Sequence, residues 1–190
     1  MKRKLNFFIL TLCFIITTNV YAEKVPKEIV DFVHMHLKSM GKDPIIVQAV
    51  KQENSKGKII ADIKILDKKW IATPGISDFM KSLMISKCAI HIADIQKKNS
   101  FYSEIFIMDK LGANIAMTDK TSDYWQGDEA KFIKCFNQGD CQIYTSDVEY
   151  DDSALTYLVH ASIPVYDENH CIGVITIGID VDDFLENSGL

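Results

Sequence analysis

Residues 121–132 read Thr-Ser-Asp-Tyr-Trp-Gln-Gly-Asp-Glu-Ala-Lys-Phe. Asp123, Tyr124, Trp125 and Gln126 stand side by side, followed by a glycine and two more acids. Asp128 and Glu129 fall where a helix would begin, and free backbone amides there favour acids by about 0.3–1 kcal/mol each. Ala130, Phe132, Ile133 and Phe136 would then form the inner face of that helix. Capping accounts for Gly127 onward but leaves Asp123 to Gln126 unexplained as a group. Two rings with polar tips, next to an amide and a carboxylate, suit a pocket wall that stacks and hydrogen-bonds at once. The plainer alternative makes Trp125 a core plug and Tyr124 a surface residue.

The chain offers no catalytic constellation. It has no nucleophile elbow, no His-Glu-x-x-His, no glycine-rich phosphate loop and no Cys-x-x-Cys. His34 and His36, two apart in a helical pattern, face different ways and make a poor metal pair. Asp147-Val-Glu-Tyr-Asp151 lacks the glycine and terminal glutamate of a calcium loop. The expectation is a protein that is not an enzyme, with no cofactor and no metal site.

These residues need a frame to hold them. Met1 to Lys4 is basic, Leu5 to Val20 is apolar, and Val20-Tyr21-Ala22 is a small-x-small cleavage site. This reads as a secretory signal peptide over residues 1–22, which places the remainder outside the cytoplasm. Losing Lys2, Arg3 and Lys4 takes the net charge from −5 to −8, which argues against nucleic acid as a partner. Residues 23–190 suit a single domain. Of the five cysteines, four lie beyond the leader, and four allow three pairings. Cys135 and Cys141 flank a turn-like Phe-Asn-Gln-Gly-Asp and are the expected disulfide, leaving Cys88 with Cys171. Four buried thiols are the alternative.

Helical spacing runs through 26–40, from Ile45 to about Lys51, and from a cap at Asn54 or Ser55 to near Trp70. Shorter helices follow near Asp78–Met84 and Ser86–Lys97. Strands are expected at 104–109 and 114–118, then 142–150, 156–165 and 171–179, with a final helix at 182–186. In a regular third strand, Tyr144, Ser146 and Val148 share one face and Asp147, Glu149 and Asp151 the other. Tyr157 and His160 lie on the next strand, where a lone His is more often structural than ligating.

The pattern Ile105-Phe-Ile-Met-Asp109 with Gly112-Ala-Asn, the run Thr118 to Phe132, the segment Tyr144 to Ser153, and Ser162-Ile-Pro-Val-Tyr-Asp167 with Ile172 to Asp180 resemble the Cache family of extracytoplasmic PAS-like sensor domains. The resemblance covers nearly all of residues 23–190 and implies an α+β, PAS-like fold. Its five-stranded antiparallel sheet carries long N-terminal helices on one face, and a small molecule binds the sheet beneath a loop-and-helix cover. It puts residues 121–132 over the pocket, so Asp123, Tyr124, Trp125 and Gln126 become ligand contacts. Tyr144 stands on the second wall, and Asp147 and Asp152 are the acids nearest the ligand.

Amino-acid-binding members commonly hold the ligand carboxylate with an arginine, and Arg3 is the sole arginine here. A carboxylate would rest on Lys120, Lys131, ring N–H and O–H groups, or backbone amides, while the excess of acids favours an amine or amino-acid-like ligand. The family usually sits between two membrane helices ahead of a signalling module. This sequence has neither a second membrane segment nor an output module, so ligand occupancy would pass to a separate membrane sensor protein. The competing expectation is a ligand-free interaction or homodimerisation module of the same fold. Val33, Leu37 and Met40 on the first helix would then serve as either contact stripe or core.

Overall fold

The computed structural model describes residues 24–151 and 155–189. The expected signal peptide and Asp152 lie outside the described residues.

The centre is one antiparallel sheet. It comprises β1 (Tyr102–Asp109), β2 (Asn114–Met117), β3 (Tyr144–Thr145), β4 (Glu149–Asp151), β5 (Thr156–Asp167) and β6 (His170–Asp180), in the order β2-β1-β6-β5-β3, with β4 also paired to β5. The class is α+β, as the sequence implies. Five strands become six because the expected 142–150 strand breaks in two. Tyr144 pairs with Ser162, and Glu149 pairs with Leu158. Five steps along one chain thus oppose four along the other, and the extra residue is a bulge. The regular alternation is corrected accordingly: Tyr144, Glu149 and Asp151 share one face.

Strand alternation gives the sheet two different faces. On one, Ile105, Ile107, Ala161, Ile163, Ile175 and Ile177 form a core with the first helical segment, with α2 (Pro44–Asn54) and with α5 (Lys87–Gln96). The first segment is α1 (Lys27–Phe32) running into a π turn and a 3-10 turn, Val33–Leu37 and Lys38–Lys42. Its buried residues Ile29, Val33, Leu37 and Gly41 recur every fourth position. Val33 and Leu37 are therefore core in this chain, and Met40 packs partly buried against them. Gly41 ends the pattern because a Cβ there would collide with the carbonyl oxygen of Pro164 on β5.

On the other face, Phe106, Met108 and Val174 pack with α3 (Ile60–Ala72), α4 (Asp78–Met84) and α6 (Ala130–Phe136). The long N-terminal helices thus divide between the two faces. The crossing happens at Asn54, which ends α2 and does not cap α3. Its side-chain amide donates to Ile172 O at 2.8 Å, and its oxygen accepts from Lys110 N at 3.1 Å. Lys58 then bridges Asp109 at 2.6 Å and Glu53 at 3.2 Å, so the turn between β1 and β2 anchors the crossing. The chain closes with α7 (Val181–Asn187), whose Phe184 is buried in the first core. No described helix is long and apolar enough to cross a membrane.

The expected Cys135–Cys141 disulfide is corrected: Cys141 bonds Cys171. Cys135 lies on the inner face of α6, where its side chain is fully buried in the second core. Cys141 follows the turn and meets the start of β6, with Tyr166 OH donating to its carbonyl at 3.2 Å. Cys88 and Cys135 are free, and burial pushes both thiols up to about 12.

Candidate functional site

The segment after β2 covers the second face of the sheet and is tied down mainly from α3. Asp67 Oδ1 accepts the backbone amides of Tyr124 and Trp125 at 2.9 and 3.0 Å. Trp70 Nε1 donates to Thr121 O at 2.9 Å, and Lys120 Nζ donates to Thr73 O and Gly75 O at 3.1 and 2.9 Å. Gln126 N donates to Gly112 O at 2.8 Å, which closes the cover over the β1–β2 turn.

This anchoring fixes where the expected wall residues go. Tyr124 is 2% exposed, with its ring 5.8 Å from Trp70 and 5.3 Å from Phe79. Trp125 Nε1 donates to Leu111 O at 2.8 Å, and Lys64 Nζ stands 4.4 Å from its ring centroid. Neither ring borders the cavity under the cover. Both pin the cover to its support, and Tyr124 is core where the plainer reading put it on the surface.

The cavity holds about 280 Å³ between the cover and the sheet. Glu104 and Phe106 of β1 and His160 of β5 form its floor, Lys120 to Ser122 and Gln126 its roof, and Lys131 and Asp151 its sides. Glu104 and His160 face each other at 3.2 Å across β6, where Gly178 pairs with both. The next row holds Phe106, Thr176 and Ser162, and the last two share a buried hydrogen bond of 3.0 Å. Lys131 pairs with Glu129 at 2.9 Å, and its ammonium lies 5.4 Å from the Phe106 ring centroid.

Gln126 is fully buried. Its amide nitrogen donates to Asp123 O at 3.2 Å and to the Asp123 carboxylate. Its Oε1 has no partner among the described residues. Asp123 itself does not line the cavity. Burial, then the neighbouring carboxylates Glu129 and Asp67, raise its carboxyl from 3.8 to about 7, against the pull of Lys131. A larger recess of about 530 Å³, reaching Asp119, shares Glu104, Lys120 and Asp151 with the cavity. A small one of about 90 Å³, reaching Tyr144 and Glu149, shares Lys131 and His160.

Of the expected ligand contacts, the structure thus brings Gln126 and Lys131 to the cavity and Tyr144 to the adjoining recess. Asp123 supports Gln126 from behind. Asp147 is exposed and borders neither the cavity nor its two neighbours. On α6, Phe132 and Cys135 face inward, whereas Ile133 is exposed. Sequence reasoning missed Glu104 and Phe106 and set His160 aside. The available signal was the charged Glu104 on the same strand face as Phe106, at the edge of the apolar run Ile105 to Met108. Among the described residues, no group of three His, Cys, Asp or Glu side chains could hold a metal ion.

No family model matches the chain, and no curated protein sequence does. Solved structures that it is similar to include sensor and ligand-binding domains of a histidine kinase and of a chemoreceptor. The sensor domain of the V. cholerae histidine kinase DctB superposes with a TM-score of 0.45 at 13% identity, covering 86% of this chain and 55% of that one. The ligand-binding domain of the Campylobacter jejuni chemoreceptor Tlp3, in complex with 4-methylisoleucine, gives 0.42 at 13% identity, over 82% of this chain and 65% of that one. The ligand-binding domain of Mlp24 with asparagine gives 0.36 at 14% identity, over 84% and 57%. The chain therefore spans between about half and two thirds of the length of these structures.

Proposed function

We propose that residues 23–190 form an extracytoplasmic sensor domain that binds a small amine or amino-acid-like molecule between cover and sheet. The observation that carries this reading is the cavity, with the buried Gln126 Oε1 left without a partner beside it. An unsatisfied buried polar atom costs about 1–3 kcal/mol. Of the two such side-chain oxygens among the described residues, Asn114 Oδ1 and Gln126 Oε1, it is Gln126 whose side chain belongs to the cavity lining. A ligand donor supplies the missing bond. Secretion through the leader agrees with the Cys141–Cys171 disulfide, since such bonds persist in oxidising compartments. Occupancy passes to a separate membrane partner.

The test is a thermal-shift panel of amino acids, amines, carboxylates, purines and divalent ions. A ligand stabilises the folded state by mass action. A shift for one class, lost in a folded Gln126→Leu protein, supports the reading. Silence across the panel, from protein free of co-purified ligand, rejects it.

A second reading has its own observation. Ile65, Ile71, Ile76, Ile85 and Ile90 on or between α3, α4 and α5 are all more than half exposed. An interaction or dimerisation module would cover them, and sedimentation would then show concentration-dependent association.

A further inference from the structure

The cavity is unbalanced in its hydrogen-bonding roles, and the imbalance points to a ligand class. This inference rests on reading the cavity as a ligand site. The ammonium groups that border it are engaged: Lys131 with Glu129 at 2.9 Å, and Lys120 with the carbonyls of Thr73 and Gly75. The Thr121 hydroxyl donates to Asp123 O at 2.6 Å. Among the described residues that line the cavity, the unmet buried side-chain atom is an acceptor, Gln126 Oε1. An incoming N–H satisfies it, and a carbonyl or carboxylate oxygen does not.

Charge agrees with hydrogen bonding. In the inner cavity Glu104 and Asp151 match Lys120 and Lys131, and the excess of carboxylates lies in the adjoining recesses, which add Asp119, Glu129 and Glu149 and no further ammonium group. An excess of one sign of charge around a recess raises the local concentration of the opposite ion. The shape is also directional. The inner cavity of about 280 Å³ and the outer recess of about 530 Å³ have Glu104, Lys120 and Asp151 in common.

We propose that the site takes a linear di- or polyamine. One ammonium donates to Gln126 Oε1, the methylene chain passes Glu104 and Asp151, and a second ammonium reaches Asp119 in the outer recess. A free α-amino acid is served less well, because its carboxylate would have to take Lys131 from Glu129.

Titration calorimetry with putrescine, spermidine and alanine, at low and high salt, tests this. Spermidine should bind, alanine should not, and Gln126→Leu should weaken spermidine at least about tenfold, the loss of roughly one hydrogen bond to a charged donor. Asp119→Asn changes an exposed side chain and leaves the fold intact. It should weaken spermidine a few-fold and putrescine less, which keeps the proposal testable if Gln126→Leu does not fold. Spermidine affinity unchanged in both variants would mean diffuse surface attraction and sink the polyamine assignment. Binding of alanine or another amino acid, lost in Gln126→Leu and without polyamine binding, would sink it too while leaving the sensor reading standing. Silence from every probe here and in the wider panel would remove both.

Discussion

Glu104 and His160 meet at 3.2 Å although a strand lies between theirs, because the residue separating them is Gly178. A Cβ at that position would stand 2.9 Å from Glu104 Cγ. A flexible side chain can yield, and replacing glycine by alanine inside a strand returns about 0.5–1 kcal/mol of chain entropy. Gly178→Ala should therefore fold and melt close to wild type while parting the pair and narrowing the cavity. Calorimetry should read an affinity loss of about tenfold, or roughly 1.4 kcal/mol. Unchanged affinity would place the ligand elsewhere.

The Asp123 carboxyl predicts a pH dependence. Its folded value, about 7, lies above the ordinary 3.8, so the folded state holds the proton more tightly than the unfolded one. Its contribution to stability is complete at pH values below 3.8 and is lost as pH rises through 7. Urea unfolding of wild type and Asp123→Asn should show the wild type falling relative to the variant between about pH 4 and 7, a window set by those two values. A constant difference across that window would contradict the burial of this carboxyl.

Asp67 predicts how firmly the cover is held. Its single oxygen receives two backbone amides, and asparagine keeps an oxygen there while alanine does not. Asp67→Ala should cost about 1–3 kcal/mol and expose residues 118–127 to protease, with Asp67→Asn much milder. Equal behaviour of the two variants would mean that charge, and not the paired acceptance, holds the cover.

The disulfide closes a loop of 30 residues. Its removal in Cys141→Ser with Cys171→Ser should cost about 3–4 kcal/mol by the chain-entropy relation. In the oxidised protein Cys88 and Cys135 should resist thiol reagents until it unfolds, since both are buried and hold their protons up to about 12. Rapid labelling of either in the native state would contradict that burial.

Local patterns announce most of this architecture. Gly41, Pro44 and the alternating runs mark the helices and strands within a few residues, because caps, proline and side-chain periodicity act over short distances. What escapes are the consequences of distant partners. Asn54 looks like a helix cap, yet it spends its amide on Ile172 and Lys110, far along the chain. Cys135 and Cys141 are close in sequence, but α6 turns the first inward. Tyr124 and Trp125 are correctly singled out as costly residues, and their direction is set by Asp67, Trp70 and Leu111, which no local pattern names. One extra residue in the broken third strand reverses which acids face inward.

His160 looks into the cavity, while its neighbours Val159 and Ala161 look the other way, into the core that holds Ile29, Val33 and Leu37. Along a strand such neighbours are only about 3.3 Å apart. The sheet is therefore a partition one backbone thick, shared by two tenants. Gly41 brings the first helical segment into direct contact with β5 at Pro164, leaving no side-chain cushion between them. A molecule that shifts the strand from the cavity side shifts the footing of that segment in the same movement, as a drumskin pressed on one side bulges on the other.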